Sequence, residues 1–124
     1  MSDLCKRLQN VDEAGLYRLN CPLDDLRVSA EDCNFALFEA KLADAHSKGE
    51  VLAELAHAIA APDWFGHNWD ALADALGDLS WRKSAGYVFV LHGDVSGEKM
   101  LNEILKATVS FWKLQGKAFW VFFA

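Results

Sequence analysis

The chain has 124 residues, of which 52% are hydrophobic and 12% aromatic, and its formal net charge at pH 7 is −6. This length corresponds to one domain, and the apolar content is enough for one packed core without disulfide or metal staples. The acidic balance disfavours direct binding to nucleic acid and favours a basic protein partner.

No segment of the sequence predicts a membrane anchor or an export signal. No apolar run approaches the roughly 20 residues that span a bilayer, and residues 1–10 are charged and lack the apolar centre of a signal peptide. Cys5, Cys21 and Cys33 are odd in number and widely spaced, so they are expected to be reduced thiols. These features predict a cytoplasmic protein without a membrane partner.

The first 33 residues form a less regular leader. Residues 15–19 favour a short strand, and residues 24–33 have a weak helical pattern. No low-complexity linker or repeat separates this leader from the rest of the chain. We therefore expect residues 1–33 to be an N-terminal extension packed on a main domain of residues 34–124.

The main domain begins with a strand pattern over residues 34–42. Ser47 and Glu50 then form a capping box, in which side chains satisfy free amides at the start of a helix. Pro62 is expected to stop this helix, because the residue before a proline avoids the helical region.

The remaining elements alternate between helix and strand. A helix is predicted over residues 68–79 with an asparagine as its N-cap, followed by a continuous apolar strand at residues 87–91. A last helix should end at Gly116 in a left-handed cap, and residues 118–123 should form a final strand. This order implies right-handed crossovers and an α/β fold with a parallel sheet.

The helix over residues 68–79 has two unlike sides. Asp70, Asp74 and Asp78 recur every four residues and form an acidic stripe. The opposite side carries an apolar stripe of Trp69, Leu72, Leu76 and Leu79. Like charges four residues apart cost about 0.2–0.5 kcal/mol per pair, and only the first acid lies where the helix dipole stabilises an anion. Such a stripe suits a basic partner better than it suits an isolated helix.

The acidic helix belongs to a longer motif, which reads Pro62, Asp63, Trp64, Phe65, Gly66, His67, Asn68, Trp69, Asp70, Ala71, Leu72, Ala73, Asp74. This segment resembles the barstar family of ribonuclease inhibitors, whose pattern has a proline, an acid, two aromatics and Gly, then Asn, Asp-Ala-Leu and a second Asp at the same spacing. The similarity continues more weakly over residues 35–124 through the order of elements. The resemblance implies a small three-stranded parallel sheet with surrounding helices.

The resemblance also implies which residues bind the partner. Asp74 matches the acid with which the family fills the phosphate-binding centre of a nuclease, and Asp70 matches a second interface acid. The full set of candidate partner-binding residues is Trp64, His67, Asn68, Asp70, Asp74 and Asp78. Several of these have a structural explanation as well, since Asn68 is also the expected N-cap and Asp70 lies in a first helical turn.

Three positions depart from the best-known inhibitor of the family. Ala73 stands where that inhibitor has a tryptophan, His67 stands where it has an acid, and Asp78 adds an acid. His67 makes the loop less negative than the acid of that inhibitor does. Trp81 is a candidate to replace part of the lost aromatic surface. The interface is therefore expected to suit a related but different nuclease.

The sequence thus predicts an inhibitor that binds a basic, barnase-like ribonuclease one to one and blocks its active site by phosphate mimicry. Catalytic residues, a cofactor and a metal are not expected. Two alternatives remain open. One is a barstar-like scaffold that binds a non-nuclease protein. The other is a small enzyme or metal protein that uses Asp63, His67, Asp70 and Asp74, although the chain has no H-E-x-x-H, nucleophile elbow or glycine-rich phosphate loop.

Overall fold

The structure is a computed structural model that describes residues 3–62, 66–95 and 97–124. Along these ranges the helices and strands are α1 (Asp3–Leu8), β1 (Leu16–Arg18), α2 (Leu23–Asp32), β2 (Ala36–Lys41), α3 (Lys48–Ala58), α4 (Trp69–Asp78), β3 (Tyr87–His92), α5 (Lys99–Leu114) and β4 (Phe119–Phe123). None of the helices in the described ranges combines the length and apolarity needed to cross a membrane.

The strands form one parallel sheet in the order β1-β4-β3-β2. Tyr87 at the start of β3 is in register with Ala36 of β2 and with Phe119 of β4. The expected α/β class and parallel sheet are confirmed. The expected strand number is wrong, because β1 from the leader pairs with β4, where Leu16 lies opposite Val121. This fourth strand satisfies an edge of β4 that would otherwise be open to other chains.

Crossover handedness assigns each helix to a face of the sheet. β1 and β2 are the two edge strands, and the chain passes from one edge to the other through α2. It then returns across the sheet from β2 to β3 through α3 and α4, and from β3 to β4 through α5. Right-handed crossovers in opposite directions place their helices on opposite faces. Glu39 accordingly contacts Arg27 of α2 on one face of the sheet, which we call the α2 face. Tyr87 contacts Trp112 of α5 on the opposite face, which we call the α5 face.

Strand β3, one of the two interior strands, lies in the core between the two helix layers. Its residues from Tyr87 to Leu91 are at most 1% exposed, as the continuous apolar run predicted. On the α5 face the Tyr87 ring lies 5.2 Å from the ring of Trp112 and 5.9 Å from that of Phe119. Aromatic side chains from a helix and two strands therefore close this side of the core.

Helices α2, α3 and α5 end in the same way, with a left-handed residue just past the C-cap. These residues are Asn34, Ala60 and Gly116, with φ of 61°, 52° and 76°. The left-handed cap predicted at Gly116 is confirmed. The prediction that Pro62 stops α3 is wrong, because the helix ends earlier, where the Ala61 N–H returns to the carbonyl of Ala56 at 2.9 Å.

The leader is fastened to the rest of the chain by covalent and polar contacts. Cys5 of α1 and Cys33 at the end of α2 form a disulfide, so the prediction of reduced thiols is wrong for this pair. Cys21 is a free cysteine. Trp120 donates its indole N–H to the carbonyl of Leu8 at 2.8 Å. The wide cysteine spacing gave no signal for the pair, because the bond joins two separate helices. The domain boundary at residue 34 stays a prediction.

Candidate functional site

The start of α4 is fixed by a side-chain cap. Asn68 is extended, with φ −145°, and its Oδ1 accepts a hydrogen bond from the Ala71 N–H at 2.7 Å. This bond satisfies an amide that has no partner inside the helix, and the predicted N-cap is confirmed. A Cβ on Gly66 would lie 3.2 Å from Asn68 Nδ2. The glycine therefore leaves room for the cap.

One side of α4 is packed into the core. The predicted apolar stripe is buried at Leu72, Leu76 and Leu79, each 0% exposed, and Trp69 is half-buried. Trp112 of α5 donates its indole N–H to the carbonyl of Leu76 at 2.8 Å. This packing leaves the opposite side of α4 facing outward.

The outward side of α4 carries the three predicted acids. Asp70, Asp74 and Asp78 are all exposed, and α4 itself contains no basic residue. Asp78 accepts a hydrogen bond from Ser80 Oγ at 3.2 Å. Across the described parts of the chain, none of the three carboxylates forms a salt bridge. The structure thus presents them as one anionic surface, which we call the acidic face.

The remaining predicted residues lie at or before the start of the acidic face. His67 is exposed directly before the N-cap, and Ala73 is exposed between two of the acids. Asp63, Trp64 and Phe65 lie outside the described residues. The role of Trp64 as an aromatic contact therefore stays a prediction.

Trp81 offers less surface than the sequence suggested. Its ring is half-buried, and its indole N–H donates to the carbonyl of Ile59 at 2.8 Å. This bond ties the ring to the end of α3. Trp81 therefore links α3 to the segment after α4, and only part of it is accessible to a partner.

Phe111 of α5 is an exposed aromatic residue that the sequence analysis missed. Its side chain is 42% exposed, and its Cε2 lies 4.0 Å from the position that a Cβ on Gly77 would take. Gly77 precedes Asp78, so the ring borders the acidic face. The available signal was periodicity, because Phe111 falls outside the buried stripe of α5, which consists of Leu101, Leu105, Thr108, Val109 and Trp112.

A comparison of the chain with protein-family models tests the resemblance that the motif suggested. The family model described as Barstar (barnase inhibitor) matches residues 35–124. The chain belongs to the barstar family. The resemblance identified from the motif is confirmed, and the family consists of inhibitors rather than enzymes. No individual curated protein matches the chain.

The barstar match covers three of the four strands of the sheet. The matched region contains β2, β3, β4 and the acidic helix, whereas β1 lies before residue 35. The fourth strand is therefore contributed by a leader that the barstar family match does not cover.

The metal-enzyme alternative uses His67, Asp70 and Asp74, which the structure describes, and Asp63, which lies outside the described residues. In the ranges that the structure describes, no group of three or more His, Cys, Asp or Glu side chains is arranged to hold a metal ion. The acids of α4 follow one another along the helix instead of converging on a point. In a barstar-family protein this arrangement fits contact with an extended surface better than it fits a coordination site.

A second charged cluster lies on the α2 face, away from the acidic face. Arg27 donates from Nε to Glu39 Oε2 at 3.0 Å and from Nη2 to Oε1 at 2.9 Å. His92 Nε2 lies 3.1 Å from the same Oε1. The Arg27 hydrogen bond, assisted by His92, holds the pKa of the Glu39 carboxyl below its usual value despite partial burial. This cluster joins α2 to β2 and β3 and is structural.

Proposed function

We propose that this protein inhibits a basic ribonuclease of the barnase kind, covering its active site with the acidic face and the loop before α4. The observation that carries the proposal is a row of three exposed acids on a capped helix in a barstar-family chain. We propose a one-to-one complex in the cytoplasm, where it would protect the cell from an endogenous or incoming nuclease.

Asp74 is the proposed phosphate mimic. It lies between Asp70 and Asp78, one helical turn from each, where neighbouring side chains are about 5–6 Å apart. A carboxylate in this place accepts charge-assisted hydrogen bonds from the Arg, Lys and protonated His side chains that otherwise hold RNA phosphates. The complex also relieves the repulsion among the three acids, because the partner supplies the missing positive charge.

The apolar surroundings of the acidic face support the same conclusion. Binding energy at interfaces is concentrated in aromatic residues and in charged pairs that become desolvated. Phe111 borders the acids from α5, and Trp64 is proposed to border them from the loop. These rings would exclude water from the charged contacts. Ala73 and His67 change the contact surface relative to the best-known inhibitor, so we propose a different nuclease of the same class as target.

A nuclease inhibition assay tests the proposed function. The purified chain is titrated against several purified basic ribonucleases with a fluorogenic RNA substrate. We expect stoichiometric loss of activity for at least one nuclease, and slower association as salt is raised, because opposite fields speed the encounter. No inhibition at micromolar protein across the panel, combined with captured cellular partners that lack RNase activity, would favour the non-nuclease scaffold instead.

A further inference from the structure

The first helix of the leader depends on other parts of the chain for its stability. α1 has six residues, of which Cys5 and Leu8 are buried. A helix this short is not stable alone in water, because nucleation costs more than one or two turns return. Its attachments include the packing of these residues, the hydrogen bond from Trp120 to the Leu8 carbonyl and the Cys5–Cys33 bond.

The spacing of the two cysteines fits a disulfide between two helices. Their Cα atoms are 5.9 Å apart, inside the range of natural disulfides. Cys33 is held at the end of α2, where the Phe35 N–H returns to the Ala30 carbonyl at 2.8 Å. Cys33 therefore stays in position, and the movable partner is α1.

α1 also covers part of the α2 face of the sheet. It forms one wall of a groove of about 870 Å³, whose floor includes Tyr17, Trp120 and Phe122 and whose other wall includes Val28 of α2. Trp120 is only 5% exposed with α1 in place. Movement of α1 away from the sheet would uncover this ring and widen the groove.

We propose that Cys5 and Cys33 are a reversible redox pair that locks α1 over Trp120 when oxidised and releases it when reduced. Under reducing conditions the two cysteines are thiols, and α1 opens locally. Under oxidising conditions the Cys5–Cys33 bond forms, as in the structure, and holds α1 on the sheet.

The chemistry is thiol–disulfide exchange with a small-molecule disulfide such as oxidised glutathione. One cysteine thiolate attacks a sulfur of the oxidant and releases one glutathione thiolate. The second cysteine attacks the resulting mixed disulfide, forms the Cys5–Cys33 bond and releases the second glutathione. The protein loses two electrons and two protons, and the oxidant gains them as two thiols. Both sulfurs are buried, so exchange proceeds through local opening of α1.

This redox pair is separate from the acidic face. α1 and Cys33 pack with the α2 face, whereas α4 packs with the α5 face. Nuclease binding is therefore expected to be the same in both redox states. A failed inhibition assay would leave the redox proposal intact, and a failed redox test would leave the inhibitor proposal intact.

Thiol counting and hydrogen exchange on the full chain test the proposal. The protein is equilibrated in glutathione buffers from fully reduced to fully oxidised and is then alkylated. The mass of the product gives the number of reactive thiols. We expect three reactive thiols at the reduced end and one, Cys21, at the oxidised end. We expect α1 amides to exchange about tenfold more slowly in the oxidised protein, with little change in α4.

Two variants and two outcomes complete the test. Cys21→Ser should keep the full redox response, which excludes pairing through Cys21. In Cys5→Ser the α1 amides should exchange hydrogen at the rate of the reduced wild-type protein in every buffer. Three reactive thiols at the oxidised end would overturn the proposal, and so would equal α1 exchange in both states of the wild-type chain. The wild-type comparison is sufficient if Cys5→Ser does not fold.

Discussion

Trp112 donates its indole N–H to the main-chain carbonyl of Leu76 at 2.8 Å, and both residues are buried. Leu76 lies in the last turn of α4, where carbonyl oxygens have no amide partner within the helix. The bond satisfies one such carbonyl and joins α4 to α5. Because it fixes one side of α4 toward the core, it also fixes Asp74 on the outward side.

Replacing Asp74 by Ala should weaken nuclease binding by at least about 2 kcal/mol, the level of an interface hot spot. The substitution leaves the partner's clustered cations facing one another without an anion, so the loss should appear mainly as faster dissociation. The urea midpoint should stay the same or rise slightly, because Asp74 is exposed between two like charges.

Asp32→Ala is the matched control for Asp74, because Asp32 is an exposed helical acid at the end of α2. Surface plasmon resonance and urea unfolding on both variants provide the comparison. Equal affinities for Asp74→Ala and Asp32→Ala would rule out Asp74 as the phosphate mimic.

Phe111→Ala should lower affinity for the same nuclease by about 1 kcal/mol through lost aromatic contact. The effect on folding should be small, because the ring is 42% exposed. Met100→Ala serves as the control, since Met100 is 49% exposed near the start of α5. If both variants bind alike in calorimetric titrations, Phe111 lies outside the interface.

Asn68 is expected to have two separable roles. Asn68→Ala removes the bond to the Ala71 N–H and should cost about 1 kcal/mol of stability. Asn68→Ser retains a capping oxygen and should restore most of that stability. If the Asn68 amide also contacts the partner, affinity should remain reduced in the serine variant. Full recovery of binding in that variant would limit Asn68 to its capping role.

Ala60→Gly should stabilise the protein by about 0.5–1 kcal/mol. Ala60 has φ 52°, and a left-handed conformation costs an L-residue about 1–2 kcal/mol, part of which is offset by the larger unfolded-state entropy of glycine. Ala53→Gly, at an exposed position inside α3, should instead destabilise by about 1 kcal/mol. Thermal unfolding of the two variants should therefore shift Tm in opposite directions.

The Arg27–Glu39 contact should give a stability term that depends on pH. The folded state lowers the pKa of Glu39 from its ordinary value of 4.5, mainly through the Arg27 hydrogen bond. The stabilisation is therefore complete above pH 4.5 and is lost as the pH falls through the folded-state pKa. Glu39→Gln should cost up to about 1 kcal/mol at pH 7, a modest value because the pair is partly exposed.

The difference in urea midpoint between wild type and Glu39→Gln, followed across this pH range, measures that term. Below about pH 5 the difference should shrink as the pH falls. A difference that grows as the pH falls below about 5 would contradict the assigned direction of the pKa change of Glu39.

The main-domain elements could be predicted because their signals are local. β3 is a continuous run of β-favouring apolar residues, and Asn68 and Gly116 are residue types suited to helix ends. The short strand expected at residues 15–19 is present as β1, but its place in the sheet was not predicted, because that place depends on a distant partner strand. The end of α3 was missed because Ala60 has no intrinsic preference for the left-handed conformation that its surroundings impose.

The candidate site was predictable to a similar extent. The four-residue spacing of Asp70, Asp74 and Asp78 is enough to predict a shared helix face, and the exposure of all three is confirmed. Phe111 was missed because its proximity to Gly77 arises from the packing of α5 on α4, which no local pattern encodes. The Cys5–Cys33 bond was missed for the same reason, since it joins α1 to the end of α2.

The pairing of β1 with β4 sets the order in which the sheet can be completed. Leu16 is opposite Val121, so the earliest strand of the chain takes its place only beside the last. Closing so long a loop costs conformational entropy, and local contacts formed early in folding do not offset that cost. Such pairings therefore form late. On the ribosome, β1 is therefore made well before its partner strand and pairs with it late in folding. Until β4 is made, β1 has no partner strand in the sheet and stays accessible to proteases and chaperones.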